Sequence, residues 1–96
     1  MKAVDYYNKF LSRPTDDTID DIFKEFCSEV VDIINTRNAT KDSAVFAVIQ
    51  EQNNKWNAMI ALFDKHNKTC PFKRNAIWNY YASKIPELNK HKNDGI

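Results

Sequence analysis

The 96 residues carry 43% apolar, 12% aromatic and 28% charged side chains and a net charge of +1, the composition of one folded domain and not of a disordered chain. Folding can remove about two-thirds of the unfolded chain's surface from water, which allows a modest core without staples. One glycine and three prolines argue against hairpins, Cys27 and Cys70 form no disulfide framework or Cys-x-x-Cys pattern, and no apolar run nears a membrane span. The expectation is an all-α cytoplasmic protein of the four-helix-bundle type, in which residues 1–88 form a single helical domain and 89–96 a frayed polar tail.

The first helix is expected over Met1 to Ser12, with Val4, Tyr7 and Leu11 on one stripe and Tyr6 and Phe10 beside it. So many apolar positions cannot all face one neighbour, so this helix should lie across two others. Arg13-Pro14-Thr15 ends it, and Thr15 or Thr18 caps the next element, Thr18 with Asp21 having the form of a capping box. From Asp16 to Thr36 the set Ile19, Ile22, Phe23, Phe26, Val30, Ile33 and Ile34 keeps helical period. Asp16, Asp17, Asp20 and Asp21 crowd its first turns, where carboxylates suit the helix dipole. Cys27 and Val31 widen the apolar stripe, and Cys27 reads as a small buried hydrophobe.

Residues 40 to 67 are the organising stretch, capped by Thr40 and free of proline and glycine. Val45, Val48, Ile49, Trp56, Met59, Ile60 and Phe63 follow helical spacing. A helix of that length is about 40 Å long against a radius of gyration of about 12 to 13 Å, so it protrudes, bends near Gln50 to Lys55, or sits in an elongated bundle. As heptads the seam runs Val45, Ile49, Gln52, Trp56, Met59, Phe63 and His66, and its polar Gln52 could fix the register of a homodimer. The same stripe serves equally as an intramolecular core, led by Phe26, Val30, Ile49, Trp56, Ile60, Phe63 and Ile77.

A turn at Lys68 to Pro71 precedes the last helix, with Cys70 as cap and Pro71 at its first position. Phe72, Ala76, Ile77, Tyr80 and Tyr81 supply the inner face, Pro86 closes it near Ser83 or Lys84, and Ile85 and Leu88 tuck back. The run Ala44-Val45-Phe46-Ala47-Val48-Ile49-Gln50-Glu51-Gln52-Asn53-Asn54-Lys55-Trp56-Asn57, with Pro71-Phe72-Lys73-Arg74 after the turn, resembles a pattern in small uncharacterised phage and prophage proteins. The resemblance implies a mobile-element origin and transfers no site residue. The sequons at Asn38 and Asn67 read as by-products of an asparagine-rich chain.

Charge is divided along the chain. Residues 1–64 hold seven Lys/Arg and eleven Asp/Glu, net −4, and residues 65–96 hold seven and two, net +5. Neighbouring helices can neutralise one another with such a division. It also suits a protein partner or a two-fold dimer, and Gln52, Lys55, Lys73, Arg74, Trp78, Asp20 and Asp21 are the candidate partner-binding residues. The alternative is a nucleic-acid module using Lys65, Lys68, Lys73, Arg74 and Lys84 with His66, Trp78 and Tyr80, or a helix-turn-helix reading through Lys73, Arg74, Asn75 and Asn79. A metal site from Cys27, His66, Cys70 and His91 lacks the spacing of known sets, and a nucleophilic Cys70 beside His66 lacks a third group. The four aspartates lack the loop of an EF-hand. No catalytic, cofactor or metal residue is therefore assigned: the expectation is a protein-protein interaction module and not an enzyme, of the kind a phage uses as accessory or host-system inhibitor.

Overall fold

A computed structural model describes residues 2–12 and 16–90, with side chains placed except at 16–19, 89 and 90. Among the described residues all regular structure is helical: α1 (Ala3–Ser12), α2 (Asp16–Thr36), α3 (Asp42–Lys65), α4 (Ala76–Ala82) and α5 (Pro86–Lys90). The fold is all-α, with five helices among the described residues where the sequence suggested four. The difference lies after Lys65. The segment expected to be one helix from Pro71 is an irregular stretch, then α4, then a turn in which the Tyr81 carbonyl accepts from the N–H groups of Lys84 and Ile85 at 2.9 Å, then α5 beginning at Pro86. Proline at the first position of α5 lacks an N–H that the helix would leave unpaired in any case. α5 takes in Asn89 and Lys90, where the tail was expected to start; residues 91–96 lie outside those described, as does the proposed cap at Thr15, and Thr18 falls inside α2 as its third residue, past the cap position expected of it.

α3 runs unbroken through Gln52 for 24 residues, about 36 Å, and the molecule measures 38 × 27 × 20 Å, the long dimension being that of an elongated bundle that holds a helix of this length. Its start differs by a residue or two from the expected one: Lys41, with extended backbone, occupies the cap position and no side chain caps it. α1, α2, α4 and α5 all pack against α3, and α1 also packs on α2 and α5 on α4. The seven residues expected to lead the core, Phe26, Val30, Ile49, Trp56, Ile60, Phe63 and Ile77, are all buried. Each such side chain contributes about 1.5–3 kcal/mol through loss of apolar contact with water.

The buried face of α1 is Tyr6, Tyr7 and Phe10, and the expected Val4 and Leu11 are 45% and 40% exposed. Positions 6, 7 and 10 share one side of the helix, and three aromatic rings bury more area than the valine and leucine they displace. Tyr7 and Phe10 meet Phe63 edge-on at 4.8 and 5.3 Å, and Tyr6 meets Phe26 at 5.0 Å, so α1 does lie across two helices.

Both long helices end through asparagine. Asn38 and Asn67 have φ of 50° and 54°, and the residue after each reaches back to the carbonyl five positions earlier: Ala39 N–H to Ile34 at 3.0 Å, Lys68 N–H to Phe63 at 2.8 Å. With Asn38 bonded to Asn35 and Asn67 to Asp64, each end is a complete Schellman motif. Asparagine tolerates the left-handed backbone better than other residues with a side chain. A chain with one glycine thus stops its helices at the two positions that resemble glycosylation sites.

α4, at seven residues, is too short to stand alone in water. Its own cap residue, Asn75, makes no capping hydrogen bond, and the function passes to α3: Asn53 Oδ1 accepts from the Trp78 N–H, the third helical residue of α4, at 3.2 Å. That is the bond an N-cap side chain normally makes within its own helix. The preceding stretch is tied to the same helix, Trp56 Nε1 donating to the Lys73 carbonyl at 3.2 Å. Two neighbouring turns of α3 therefore fix where the C-terminal segment lies.

Candidate functional site

α2 and α4 pack on α3 and leave between them an open groove of about 680 Å³, lined by Phe23, Lys24, Cys27, Ser28, Val31 and Asp32 of α2 and by Tyr80, Tyr81 and Lys84 at the end of α4. On α2 the apolar positions 23, 27 and 31 recur every fourth residue and so line up along the groove, and the polar positions 24, 28 and 32 form its rim. The opposite wall is aromatic: Tyr80 meets Phe23 edge-on at 5.7 Å and Tyr81 at 4.9 Å, and the Lys84 ammonium lies 4.7 Å from the centre of the Tyr80 ring. The Tyr81 hydroxyl donates to the Cys27 carbonyl at 2.8 Å and ties one wall to the other. Val31 and Tyr80 remain 46% and 40% exposed.

Two of the groove's groups, Tyr81 and Cys27, are held in their neutral forms. Burial pushes the Tyr81 hydroxyl well above its ordinary range, with its bond to Cys27 acting in the same direction. Burial likewise pushes the Cys27 thiol up, against a smaller opposing influence of Tyr81 and of nearby Lys84. A thiol so held is a poor nucleophile at neutral pH. Cys27 is half-buried on the groove floor, more open than the core position expected of it.

The residues proposed from sequence for partner binding are scattered. Gln52 is 2% exposed and Trp78 fully enclosed, so neither is presented to a partner: Gln52 faces the core with the apolar stripe of α3, and Trp78 packs edge-on with Phe46 at 5.4 Å. Lys55 is half-buried and committed, its ammonium 3.0 Å from Glu29, whose other oxygen accepts from the Tyr6 hydroxyl. Burial alone would raise the Glu29 carboxyl; the bonds from Tyr6 and Lys55 outweigh it and leave Glu29 below the usual carboxylate range. Burial and the same carboxylate push the Tyr6 hydroxyl far up. This network pins α1, α2 and α3 together, and Lys9 with Glu25 at 2.6 Å adds a second tie between α1 and α2. Asp20 and Asp21 are exposed on the first turns of α2 and do not line the groove.

Lys73 and Arg74 are exposed, but Arg74 is bonded to Asp64 at 2.6 Å and both precede α4, so with Asn75 they lie in a turn and not on a recognition helix. Of the other basic-patch residues, Lys65, His66 and Lys68 are exposed, whereas Tyr80 and Lys84 belong to the groove. His66 stacks on Tyr7 at 5.6 Å. Ile49 and Met59, through which an α3 dimer would form, are fully enclosed by the chain's own helices, so that seam is spent inside one molecule.

Cys70 lies in the irregular stretch, its sulfur engaging both the N–H and the carbonyl of Phe72, and burial raises its thiol pKa, the opposite of a helix-start nucleophile. Among the described residues no group of three or more His, Cys, Asp or Glu could hold a metal ion, and no helix is long and apolar enough to cross a membrane. His91 lies outside them.

The groove was missed from sequence, although Val31 carried a signal: it extends the apolar stripe of α2 beyond what the core covers. Comparison with protein-family models, with curated proteins and with solved structures finds no match to this chain.

Proposed function

We propose that this chain is a small helical interaction module, bundle-like around α3, that holds a segment of another protein in the groove between α2 and α4. One observation carries the reading: an apolar floor and an aromatic wall meet in a single open groove in which Val31 and Tyr80 stay exposed. Aromatic residues in partly desolvated grooves are the usual anchors of protein interfaces. The proposed action is occupancy of a partner's surface without turnover, consistent with a phage-borne accessory protein or inhibitor.

The test is affinity capture from the native host with the wild-type chain and with Val31→Asp/Tyr80→Ala, both checked for helicity. A partner retained by the wild type and lost by the variant is the expected result. A partner held equally by both overturns the reading. Captured material that is sensitive to nuclease, together with binding to nucleic acid at about 50 mM salt that weakens in Lys65→Ala/Lys68→Ala/Lys73→Ala, would transfer the function to the basic surface instead.

A further inference from the structure

Resting on that reading, we propose that the groove takes an amphipathic helix whose carboxylates face Lys24 and Lys84 and whose other end presents a cationic side chain to Asp32. The helical form follows from the walls. Both are helices with no unpaired strand edge, so an extended peptide would find no ladder for its backbone, whereas a helix satisfies its own. The floor residues Phe23, Cys27 and Val31 run over eight helical steps of α2, about 12 Å, which matches anchors at i, i+3 or i+4 and i+7 of an occupant. The groove is also open along its length, and a small ligand would leave too much of its own surface in water.

The end-to-end polarity follows from the rim. Lys24 stands at one end of the α2 wall and Asp32 at the other, and Lys84 lies on the facing wall 4.7 Å from the ring of Tyr80, which itself meets Phe23 at the Lys24 end. Among the described residues neither lysine is in an ion pair, and nor is Asp32. Lys9 and Lys55, by contrast, are bound to Glu25 and Glu29. The exposed carboxylates Asp20, Asp21 and Asp32 on α2 disfavour a phosphate backbone in the same place.

The experiment uses three stapled helical peptides with identical leucines at i, i+3 and i+7: one with glutamates at the end meant for Lys24 and Lys84 and arginine at the other, one with these charges reversed, one with glutamine at both ends. Binding is read by fluorescence anisotropy and by amide NMR shifts on the whole chain, on Lys24→Glu/Lys84→Glu and on Asp32→Lys, each checked for an unchanged helical spectrum. The expected result is roughly tenfold tighter binding of the first peptide than of its reversal, with shifts at Cys27, Val31 and Tyr80, and an inverted order in the lysine variant. Asp32→Lys should lose only the contribution of the arginine end. Equal affinity for all three peptides overturns the charge assignment and leaves the docking groove standing. No shift with any peptide up to about 1 mM overturns both. A mass that rises with protein concentration in light scattering, and stays monomeric in Val31→Asp, would assign the groove to a second copy and overturn the proposal.

Discussion

Replacing each tryptophan by phenylalanine removes the same atoms from two fully enclosed sites, so the transfer cost of those atoms is common to the two variants. What remains is the indole N–H. At Trp56 it donates to the Lys73 carbonyl at 3.2 Å, a bond whose net value is about 0.5–1.5 kcal/mol. At Trp78 the N–H is buried and no acceptor among the described residues reaches it, so its removal relieves a desolvation cost of about 1–3 kcal/mol. Trp56 also makes edge contacts with Phe23, Phe26 and Phe72 at 5.7, 4.9 and 4.6 Å, which act in the same direction. Trp56→Phe should therefore be less stable than Trp78→Phe by about 2 kcal/mol or more, a difference of roughly 8–16 °C in Tm for a domain of this size. Urea unfolding followed by far-UV circular dichroism at pH 7 measures it, with equal m-values as the check that both variants unfold alike. A Trp56→Phe protein as stable as Trp78→Phe would refute the hydrogen-bond assignment.

Trp56→Ala should cost about 3–5 kcal/mol, a large share of the 5–15 that such a domain has, and a Tm near that of the wild type would show the α3 stripe not to be core. Acid should destabilise the protein through Glu29: its folded pKa is depressed, so its contribution is complete above the unfolded value of about 4.3 and disappears as the pH falls through the folded one. Glu29→Gln should flatten that limb of a pH–stability curve, and an unchanged acid limb would place the titration elsewhere. At the alkaline end Tyr6, whose pKa is raised, should withdraw stability once the pH passes about 10, and Tyr6→Phe should remove that loss. Arg37→Ala breaks an ion pair with Glu51 exposed on both sides and should leave the midpoint of the same urea assay almost unchanged.

The first two-thirds of the chain was legible because its helices are long and their apolar periods are uninterrupted: α2 and α3 fall within a residue or two of expectation, and the seven leading core residues are correct. The C-terminal third was not, for a reason that local pattern cannot contain. Pro71 is a plausible helix start by sequence, but the chain from 66 to 75 is positioned by Trp56 and α4 is capped by Asn53, both from α3. Gln52 and Asn53 read as a polar interruption of an apolar seam because nothing in the sequence says that Asn53 has a helix end to satisfy. In α1 the choice between a stripe through Val4 and Leu11 and one through Tyr6 and Phe10 depended on which neighbours were present. Candidate partner residues chosen for charge or aromatic character failed where the fold had already used them, as with Lys55 and Trp78, and the groove emerged only where α2 and α4 diverge.

The trans-cap on α4 makes the groove conditional. One wall is a helix whose docking draws in part on a side chain outside the groove, so any occupant that touches Tyr80 binds the docked form and is linked to that equilibrium. Asn53→Ala, which touches no groove residue directly, should lower the docked population and weaken an occupant by the same factor, while a saturating occupant should slow hydrogen exchange at the α4 amides. A change on α3 would thus tune affinity at a distance, and selection could adjust the strength of this interaction without altering a residue that the partner touches.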